Sequence, residues 1–173
     1  MYPIWRLIVD GKLHRYDVKV TWKGNEGTGT GSYRGYSRNH EVTAGAKPAI
    51  AGSSDPAFRG DPARWNPEDL LVASLSACHK LWYLGLCAQA GVTVLSYEDD
   101  ALGQMVEEAD GAGQFTSVML RPKIVIDAQS DPDVAAALHN KAHAMCFIAR
   151  SVNFPVRNEP EIMVQAQVPG VRG

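Results

Sequence analysis

Alternating apolar and polar residues predict strands in the first quarter of the chain. The runs 4–9 and 16–22 are rich in β-branched and aromatic residues, and residues 10–12 between them (Asp-Gly-Lys) carry a hairpin signal. The segment 24–31 is rich in Gly and Thr and predicts a turn. Residues 31–44 then alternate well enough for one or two further strands.

The pattern next changes from a long loop to a long helix. Residues 45–65 hold Gly, Pro, Ser and Asp and predict a loop, and a loop of that length in a compact domain is often functional. Asn66 is a typical N-cap, Pro67 suits the first helical position, and the two acids that follow favour the positive end of the helix dipole. The helix should run to about Ala90 and end at Gly91.

Apolar patterning in the second half predicts further strands around a second helix. Residues 92–106 and 114–128 predict two or three strands, with a Gly-Ala-Gly turn at 111–113 between them. The pair Asp131-Pro132 predicts the start of a helix that reaches about Ser151. Residues 154–168 predict one closing strand.

The order of these elements indicates the fold class. Helices do not alternate singly with strands, so the sequence predicts an α+β protein with mostly antiparallel sheets and two main helices, the first long and central. The 173 residues suit one domain, and no repeat or linker indicates another, so we expect a single domain over residues 1–173. The net charge of −2 and the scattered Lys and Arg predict no nucleic-acid partner and no binding to an anionic membrane.

The cysteine count and the first residues indicate the compartment. Three cysteines are too few, and odd in number, for a secreted disulfide framework. The start of the chain has no basic segment leading into a long apolar one, so we expect a reducing cytoplasm. Residues 70–90 are long enough to span a bilayer, but polar side chains are spread along them, which favours a helix buried in protein.

Cys78 is the first candidate for chemistry. A single Cys inside a helix is most often a small buried hydrophobe, and Cys87, which has no charged neighbour, fits that interpretation. Cys78 differs because His79 and Lys80 follow it directly, and a nearby cation raises the ionised fraction of a thiol. Several small residues precede Cys78 and would let another helix or backbone approach closely.

Cys146 occupies a similar place in the predicted second helix. His143 lies three residues before it and Arg150 four after it. His139 and His143 would share a helix face with Cys146, which raises a metal site as an alternative. The segment lacks the Glu of the zinc-protease motif H-E-x-x-H, and helical histidines at this spacing more often lie on a solvated face, so we expect no bound metal or other cofactor.

One acid and four arginines complete the candidates. Glu68 is by itself an ordinary acid of a first helical turn, and Arg34, Arg38, Arg59 and Arg64 are by default surface residues. The sequence contains no glycine-rich loop that follows a strand and opens a helix, and no G-x-S-x-G elbow. Nucleotide-dependent enzymes and serine hydrolases are therefore not predicted.

Residues 66–78 carry the pattern N-P-E-x-L followed by A-x-C, and Cys146 lies just past the middle of the second predicted helix. These features resemble the osmotically inducible protein C / organic hydroperoxide resistance (OsmC/Ohr) family, in its OsmC-like branch, over about the whole chain. The resemblance implies an intertwined homodimer in which one Cys attacks an organic hydroperoxide and a second resolves it as a disulfide. It also implies an Arg–Glu pair that orders the site and a lipoyl-type dithiol or lipoylated protein as the reductant.

The family roles transfer onto particular residues of this chain. Cys78 would be the peroxidatic Cys, Cys146 the resolving Cys, and Glu68 the acid that holds the Arg. Two arginines could fill the remaining role, and we favour Arg38, in Y-S-R-N-H-E, with Arg59 as the alternative nine residues before Glu68. Phe147 follows Cys146 where many family members have Pro, a residue that ends or kinks a helix.

We therefore predict a thiol-dependent peroxidase of oxidative-stress defence that acts on organic hydroperoxides. A Cys–His–acid hydrolase, and a non-enzymatic small-molecule or metal-binding protein of the same fold, stay open as alternatives. Helix geometry adds one expectation, because Glu68 and Cys78 are ten residues apart and hence about 15 Å apart along one helix. If two copies of the helix cross near Ala73 about a two-fold axis, Glu68 of each copy approaches Cys78 of the other.

Overall fold

A computed structural model describes residues 11–165. The chain divides into two compact units, Met1–Pro67 and Glu68–Gly173. In the first unit, strands β1 (Lys19–Trp22), β2 (His40–Thr43) and β3 (Ile50–Gly52) form one antiparallel sheet in the order β1-β2-β3. Strands β1 and β2 pair over a short stretch, from Lys19 opposite Thr43 to Trp22 opposite His40.

The first unit departs from the sequence prediction at three places. The strand predicted at 16–22 begins only at Lys19, and the one predicted within 31–44 is confined to His40–Thr43. The loop predicted at 45–65 contains β3 and a 3-10 helix, Pro56–Phe58. The strand predicted at 4–9 and the start of its hairpin lie outside the described residues.

Side chains explain why residues 31–39 do not form a strand. The Arg38 guanidinium donates to the backbone oxygens of Tyr36 at 2.7 Å and Tyr33 at 2.8 Å. The Trp22 indole donates to the backbone oxygen of Ser37 at 2.8 Å. Carbonyls that accept from side chains in this way hold the chain in turns, where alternation alone predicted an extended ladder.

The first helix, α1 (Pro67–Ala90), has the predicted bounds. Glu68 and Asp69 lie in its first turn, where a carboxylate interacts favourably with the helix dipole. Gly91 has a φ of 76°, the left-handed conformation that ends many helices and favours glycine. The predicted start and end of this helix are therefore confirmed.

The second half of the chain holds more strands than the sequence predicted. Four strands precede the second helix instead of two or three, and two follow it instead of one: β4 (Val94–Asp99), β5 (Leu102–Glu107), β6 (Gly113–Leu120), β7 (Pro122–Ile126), β8 (Val156–Asn158) and β9 (Glu161–Val164). The sheets run in the orders β4-β7-β9 and β5-β6-β8, with β8 and β9 joining their neighbours in parallel. Pro160 explains the division between β8 and β9, since it offers no N–H to continue a ladder.

The second helix, α2 (Pro132–Met145), ends six residues earlier than predicted. Asp131 caps its start by accepting from the backbone nitrogens of Asp133 at 2.8 Å and Val134 at 3.3 Å. Cys146 is extended, with a ψ of 111°, so it lies at the C-cap and not past the middle of a helix. A separate 3-10 helix, Ala149–Ser151, follows it.

Two clusters of buried side chains form the core of the second unit. One gathers Tyr83, Leu86 and Cys87 of α1 with strands β4 and β7 and with α2, and the other packs Leu75 of α1 against β6 and β8. Because α1 contributes side chains to both clusters, its packing fixes the positions of the other residues that the helix carries. The α+β class with two helices and mostly antiparallel pairing is confirmed, whereas the single-domain organisation stays a prediction.

Helix α1 is long and apolar enough, by length and composition alone, to cross a membrane. It nevertheless buries one face in protein, including the polar His79. Its opposite face is apolar and exposed at Ala73, Ala77 and Leu81, and the Leu81 side chain is 67% accessible. A core helix with one uncovered apolar stripe fits this burial better than a helix surrounded by lipid.

Candidate functional site

The structure places Cys78 and Cys146 near each other, close enough for the Cys78 thiol to raise the pKa of Cys146. Cys78 projects from the middle of α1 and is half-buried, whereas Cys146 directly follows α2 and is only 1% exposed. Burial, and next the hydrogen bond with Cys78, raise the pKa of Cys146 to about 11. Cys146 is therefore protonated at neutral pH, so the accessible Cys78 is the better placed of the two for attack on an incoming molecule.

The backbone after α2 holds Cys146 in place. Its nitrogen donates to the oxygen of His143 at 3.2 Å, and its oxygen accepts from the nitrogen of Arg150 at 3.1 Å. Its Sγ accepts from the nitrogen of Ala149 at 3.4 Å, a contact that opposes the rise of the thiol pKa. The turn after α2 thus aims this thiol at α1 through local hydrogen bonds.

An apolar cavity of about 360 Å³ opens beside Cys78, and we call it the Cys78 groove. One face of α1 and one residue after Cys146 line it: Cys78, Leu81, Trp82, Gly85, Leu86, Gln89 and Phe147. None of these side chains carries a full charge. The Phe147 ring meets Trp82 edge-on at 5.6 Å between ring centroids, an arrangement that aromatic pairs favour.

Gly85 is a helical glycine that the contacts of its own chain do not explain. It lies inside α1, where Gly is less favourable than Ala by about 0.8–1 kcal/mol. A Cβ added to it would meet no atom within 4 Å. Neither backbone conformation nor close packing in this chain therefore requires glycine at this position.

Behind the thiols lies a buried histidine pair, His79 on α1 and His139 on α2. Their ring nitrogens Nε2 and Nδ1 are 2.9 Å apart, and each residue is 1% exposed. One ring donates and the other accepts. Burial lowers the pKa of His79 to about 4 and that of His139 to about 3.

This pair changes the interpretation of the residue that follows Cys78. The sequence suggested that His79 could act as a cation beside the thiol, but successive helical residues point about 100° apart, and the His79 ring turns into the core. Sequence analysis missed the pair. The signal available was position, since His79 lies four residues from both Leu75 and Tyr83 on the buried stripe of α1.

Asp99 of β4 lies close to the histidine pair. Its carboxylate accepts from the Ser76 hydroxyl at 2.5 Å and from the backbone nitrogen of Arg121 at 2.7 Å. Its negative charge favours the protonated form of His79 and partly opposes the lowering of that pKa by burial. These hydrogen bonds of the Asp99 carboxylate connect α1 to the strands.

The described residues give no support to a metal centre. His139 is committed to His79, and residues 11–165 contain no group of three His, Cys, Asp or Glu side chains arranged to hold a metal ion. Cys87, expected to be a core residue, is buried, and its pKa is raised by that burial. This expectation is confirmed.

Glu68 has an unusual carboxylate. Its Oε2 atom is buried and has no hydrogen-bond partner among residues 11–165. A carboxylate oxygen removed from water without a donor is costly, so this atom has unused capacity to accept a hydrogen bond. Glu68 and Cys78 both lie in the unbroken helix α1, so they are about 15 Å apart along the helix, as the sequence predicted.

The two candidate arginines differ in their local surroundings within the first unit. The Arg38 guanidinium makes the two backbone hydrogen bonds described above and lies over the rings of Tyr33 at 4.5 Å and Tyr36 at 4.1 Å. Arg59 is exposed, and its guanidinium lies 6.0 Å from the Tyr33 ring. Arg59 also has a φ of 66°, the one positive φ of a non-glycine residue in the described part of the chain.

The other charged candidates lie on the surface. Arg34 is exposed, and Arg64 forms an ion pair with Asp61 at 3.4 Å. Arg150, expected to accompany Cys146, is exposed on the 3-10 helix, and Lys80 is half-buried. Arg38 and Arg59 differ from these four residues because the family resemblance indicated them, and exposure alone does not separate Arg59 from Arg34 or Arg150.

Comparison with known proteins identifies the family and the fold of this chain. The family model described as OsmC-like protein matches residues 60–161. An OsmC-like protein of unknown function from Vibrio cholerae is 32% identical, with a TM-score of 0.77 over 86% of this chain and 99% of its own. Among curated protein sequences, none matches this chain.

Two further structures share the fold at lower identity. An organic hydroperoxide resistance protein from Elizabethkingia anophelis is 16% identical, with a TM-score of 0.63 over 89% of this chain and 99% of its own. One from Legionella pneumophila is 17% identical, with a TM-score of 0.62 over 89% and 100%. The family model and the Vibrio cholerae relative together show that this chain belongs to the OsmC-like protein family.

Proposed function

We propose that this protein reduces organic hydroperoxides in oxidative-stress defence, with Cys78 as the attacking thiol and Cys146 as the resolving thiol. The observation that carries the proposal is the proximity of the two thiols, of which Cys78 opens onto an apolar cavity while Cys146 is buried. Membership of a family that includes hydroperoxide reductases supports it. The apolar wall favours a fatty or aromatic hydroperoxide over hydrogen peroxide.

The first step consumes the peroxide. The Cys78 thiolate attacks the terminal peroxide oxygen, so that a sulfur–oxygen bond forms as the oxygen–oxygen bond breaks. The alkoxide that leaves takes up a proton and becomes an alcohol, and Cys78 becomes a sulfenic acid. Sulfur loses two electrons and the peroxide gains them.

The second step uses the contact between the two cysteines. The Cys146 sulfur attacks the sulfenic sulfur, and the hydroxyl leaves as water with the Cys146 proton, which forms a Cys78–Cys146 disulfide. An external dithiol, of the lipoyl type or on a lipoylated protein, then reduces the disulfide and becomes a disulfide itself. No bound cofactor enters this cycle.

Peptide mapping under non-reducing conditions tests the proposal. After one equivalent of an organic hydroperoxide we expect a Cys78–Cys146 disulfide within one chain, because the two thiols lie near each other. Cys87 should stay reduced, because burial raises its pKa and disfavours its thiolate. A Cys87-containing disulfide, or two cysteines that remain reduced while the peroxide persists, would contradict the proposal.

The geometry gives less support to a Cys–His–acid hydrolase. Such an enzyme needs a histidine ring that accepts the Cys78 proton. His79 is paired with His139, and the free ring nitrogens of both histidines are buried without a partner among residues 11–165. The Nδ1 atom of His143 is likewise unpartnered there, so none of these three nitrogens accepts a hydrogen bond from Cys78.

For the arginine of the family's site, we propose Arg59 in preference to Arg38. Local contacts support this choice, because Arg38 is occupied by two carbonyls and two rings while the Arg59 guanidinium is exposed. Arg59→Ala should slow alkylation of reduced Cys78 at neutral pH about tenfold, since a cation favours the thiolate.

Arg38→Ala serves as the comparison variant in the same alkylation assay. It should lower the free energy of unfolding by about 1.5–3 kcal/mol, because it removes charge-assisted hydrogen bonds, and leave the alkylation rate near that of the wild type. Slower alkylation in Arg38→Ala alone would reverse the assignment, and two unchanged rates would remove both arginines from the site.

We further propose that the functional protein is a homodimer. The apolar stripe at Ala73, Ala77 and Leu81 lacks cover within the described chain, and the buried Oε2 atom of Glu68 lacks a donor there. A second copy crossing α1 near Ala73 would cover the stripe and bring Glu68 of one chain towards Cys78 of the other. Sedimentation equilibrium distinguishes the mass of a monomer from that of a dimer. A monomer mass at working concentrations would contradict both the homodimer and the site shared between its chains.

A further inference from the structure

The chain after α2 forms a turn over residues 146–151, which we call the Cys146 turn. The Ser151 hydroxyl donates to the backbone oxygen of Phe147 at 2.7 Å, and the Ser151 nitrogen donates to the oxygen of Ile148 at 2.9 Å. The hydrogen bonds that Cys146 accepts likewise come from residues of this turn. These bonds shape the turn, but both of their ends lie within it, so they do not fix its distance from α1.

Two apolar contacts attach the Cys146 turn to the part of α1 that surrounds Cys78. Ile148 packs against the core cluster that includes Leu75, three residues before Cys78. The Phe147 ring meets the ring of Trp82, four residues after Cys78, edge-on at 5.6 Å between centroids. Residues three and four apart lie on the same face of a helix. Cys78 is therefore on the face of α1 against which the turn packs, between the two points of attachment.

Phe147 and Ile148 hold the turn in different ways. Ile148 is partly buried and belongs to the packing of the core, whereas Phe147 is 65% exposed. Trp82 packs against the other core cluster, so its ring is a fixed surface for Phe147. An edge-to-face pair of this kind favours the attached position of a segment by about twofold to tenfold. Removing the Phe147 ring should therefore loosen the turn without disturbing the core.

We propose that Phe147 is a positioning residue for disulfide formation, because its contact with Trp82 holds the Cys146 turn against α1. This inference rests on the proposed function and deepens it. Phe147 acts on the second step, in which the Cys146 sulfur attacks the sulfenic sulfur of Cys78 and water leaves. The first step, in which Cys78 attacks the peroxide, does not require the turn to be attached.

Single-turnover kinetics of Phe147→Ala separate the two steps. Rapid quenching after one equivalent of tert-butyl hydroperoxide measures the loss of the Cys78 thiol and the appearance of the disulfide. Disulfide formation should be about twofold to tenfold slower than in the wild type, and dimedone should trap more of the sulfenic acid. The first step should stay within about twofold of the wild type. Phe147→Tyr keeps the ring and should restore the wild-type rate.

Leu95→Ala provides the matched control. Leu95 is 47% exposed on β4, so this variant also removes an exposed apolar side chain, and both steps should stay within about twofold of the wild type. Unchanged disulfide formation in Phe147→Ala would overturn the inference, as would equal slowing of both steps or failure of Phe147→Tyr to restore the rate. Slower closure together with a change in sedimentation mass would overturn it too, because Phe147 would then serve contact with a second copy.

A double variant tests whether Phe147 acts through Trp82. Trp82→Leu removes the partner ring and keeps an apolar side chain against the core. In that background Phe147→Ala should slow disulfide formation by less than about twofold, since two residues that act through one contact are not additive. Equal slowing by Phe147→Ala in both backgrounds contradicts the inference.

An equilibrium without peroxide distinguishes failure of this inference from failure of the proposed function. In a glutathione buffer the two protein thiols become a disulfide as oxidised glutathione is reduced to two thiols. The equilibrium constant for the Cys78–Cys146 disulfide should fall by about twofold to tenfold in Phe147→Ala, because the effective concentration of the thiols falls. A wild type that consumes no hydroperoxide, with a constant that falls in the variant, overturns the proposed function alone. A wild type that consumes it, with an unchanged constant, overturns the positioning role alone.

Discussion

Replacing Cys78 by Ser should abolish reduction of organic hydroperoxides, whereas replacing Cys146 by Ser should leave a single turnover. The difference follows from the two surroundings, because Cys78 opens onto the Cys78 groove while Cys146 is buried. Attack needs one thiol, and recycling needs two. In Cys146→Ser the reaction should stop at a Cys78 sulfenic acid, which a dimedone adduct on the Cys78 peptide detects.

The amount of alcohol formed per chain, with one equivalent of peroxide and no added dithiol, distinguishes the variants. We expect about one equivalent from the wild type, which then holds a disulfide, about one from Cys146→Ser, which then holds a sulfenic acid, and none from Cys78→Ser. Added dithiol should then support repeated turnover of the wild type. Cys87→Ser is the matched control, since it removes a buried thiol of the same helix and should keep multiple turnovers. Equal loss of the first turnover in Cys78→Ser and Cys146→Ser would refute the assigned roles.

Acidification from pH 7 to pH 5 should destabilise the protein by about 4 kcal/mol through His79 and His139 together. Both pKa values are lowered in the folded chain, to about 4 and about 3, from an ordinary value of 6.5. Below pH 6.5 the two histidines bind protons in the unfolded chain but stay neutral in the folded chain, so the free energy of unfolding falls as the pH falls. At pH 5 the gap is 6.5 − 5 = 1.5 pH units per ring, or about 2 kcal/mol each.

Chemical denaturation at a series of pH values measures this loss. A His79→Leu/His139→Phe double variant removes both titrating rings and should show a flatter stability profile between pH 7 and pH 5, whatever its stability at pH 7. His14→Gln, which replaces an exposed histidine, should keep the wild-type profile. If the double variant keeps the wild-type slope, the buried pair is not the source of the acid sensitivity.

Local signals made α1 predictable, and they also explain why α2 was misjudged. Pro67 and Gly91 are short-range signals that act on their own backbone, and both bounds of α1 follow from them. No proline or glycine marks the end of α2 at Cys146. The helix ends there because the chain turns, and Cys146 accepts hydrogen bonds from the backbone nitrogens of Ala149 and Arg150. A polar-apolar pattern does not contain that information.

The candidate site was likewise predictable from the sequence only in part. The sequence and its family resemblance indicated both cysteines, and the structure places them near each other. The histidine pair could not be predicted, because it joins residues 60 positions apart and depends on how α1 and α2 pack. The choice between Arg38 and Arg59 likewise depends on side-chain contacts, which residue types and spacing do not specify.

The hydrogen bond between His79 and His139 has a consequence for the rate of disulfide closure. His79 is the neighbour of Cys78, and Cys146 follows His139 by seven residues, so one bond between two buried rings fixes the helices that carry both thiols. The resolving thiol is thereby offered to the oxidised Cys78 at a high effective concentration, and little chain entropy is left to lose when the ring closes. Loosening the pair should therefore lengthen the lifetime of the sulfenic acid, although neither histidine touches the peroxide.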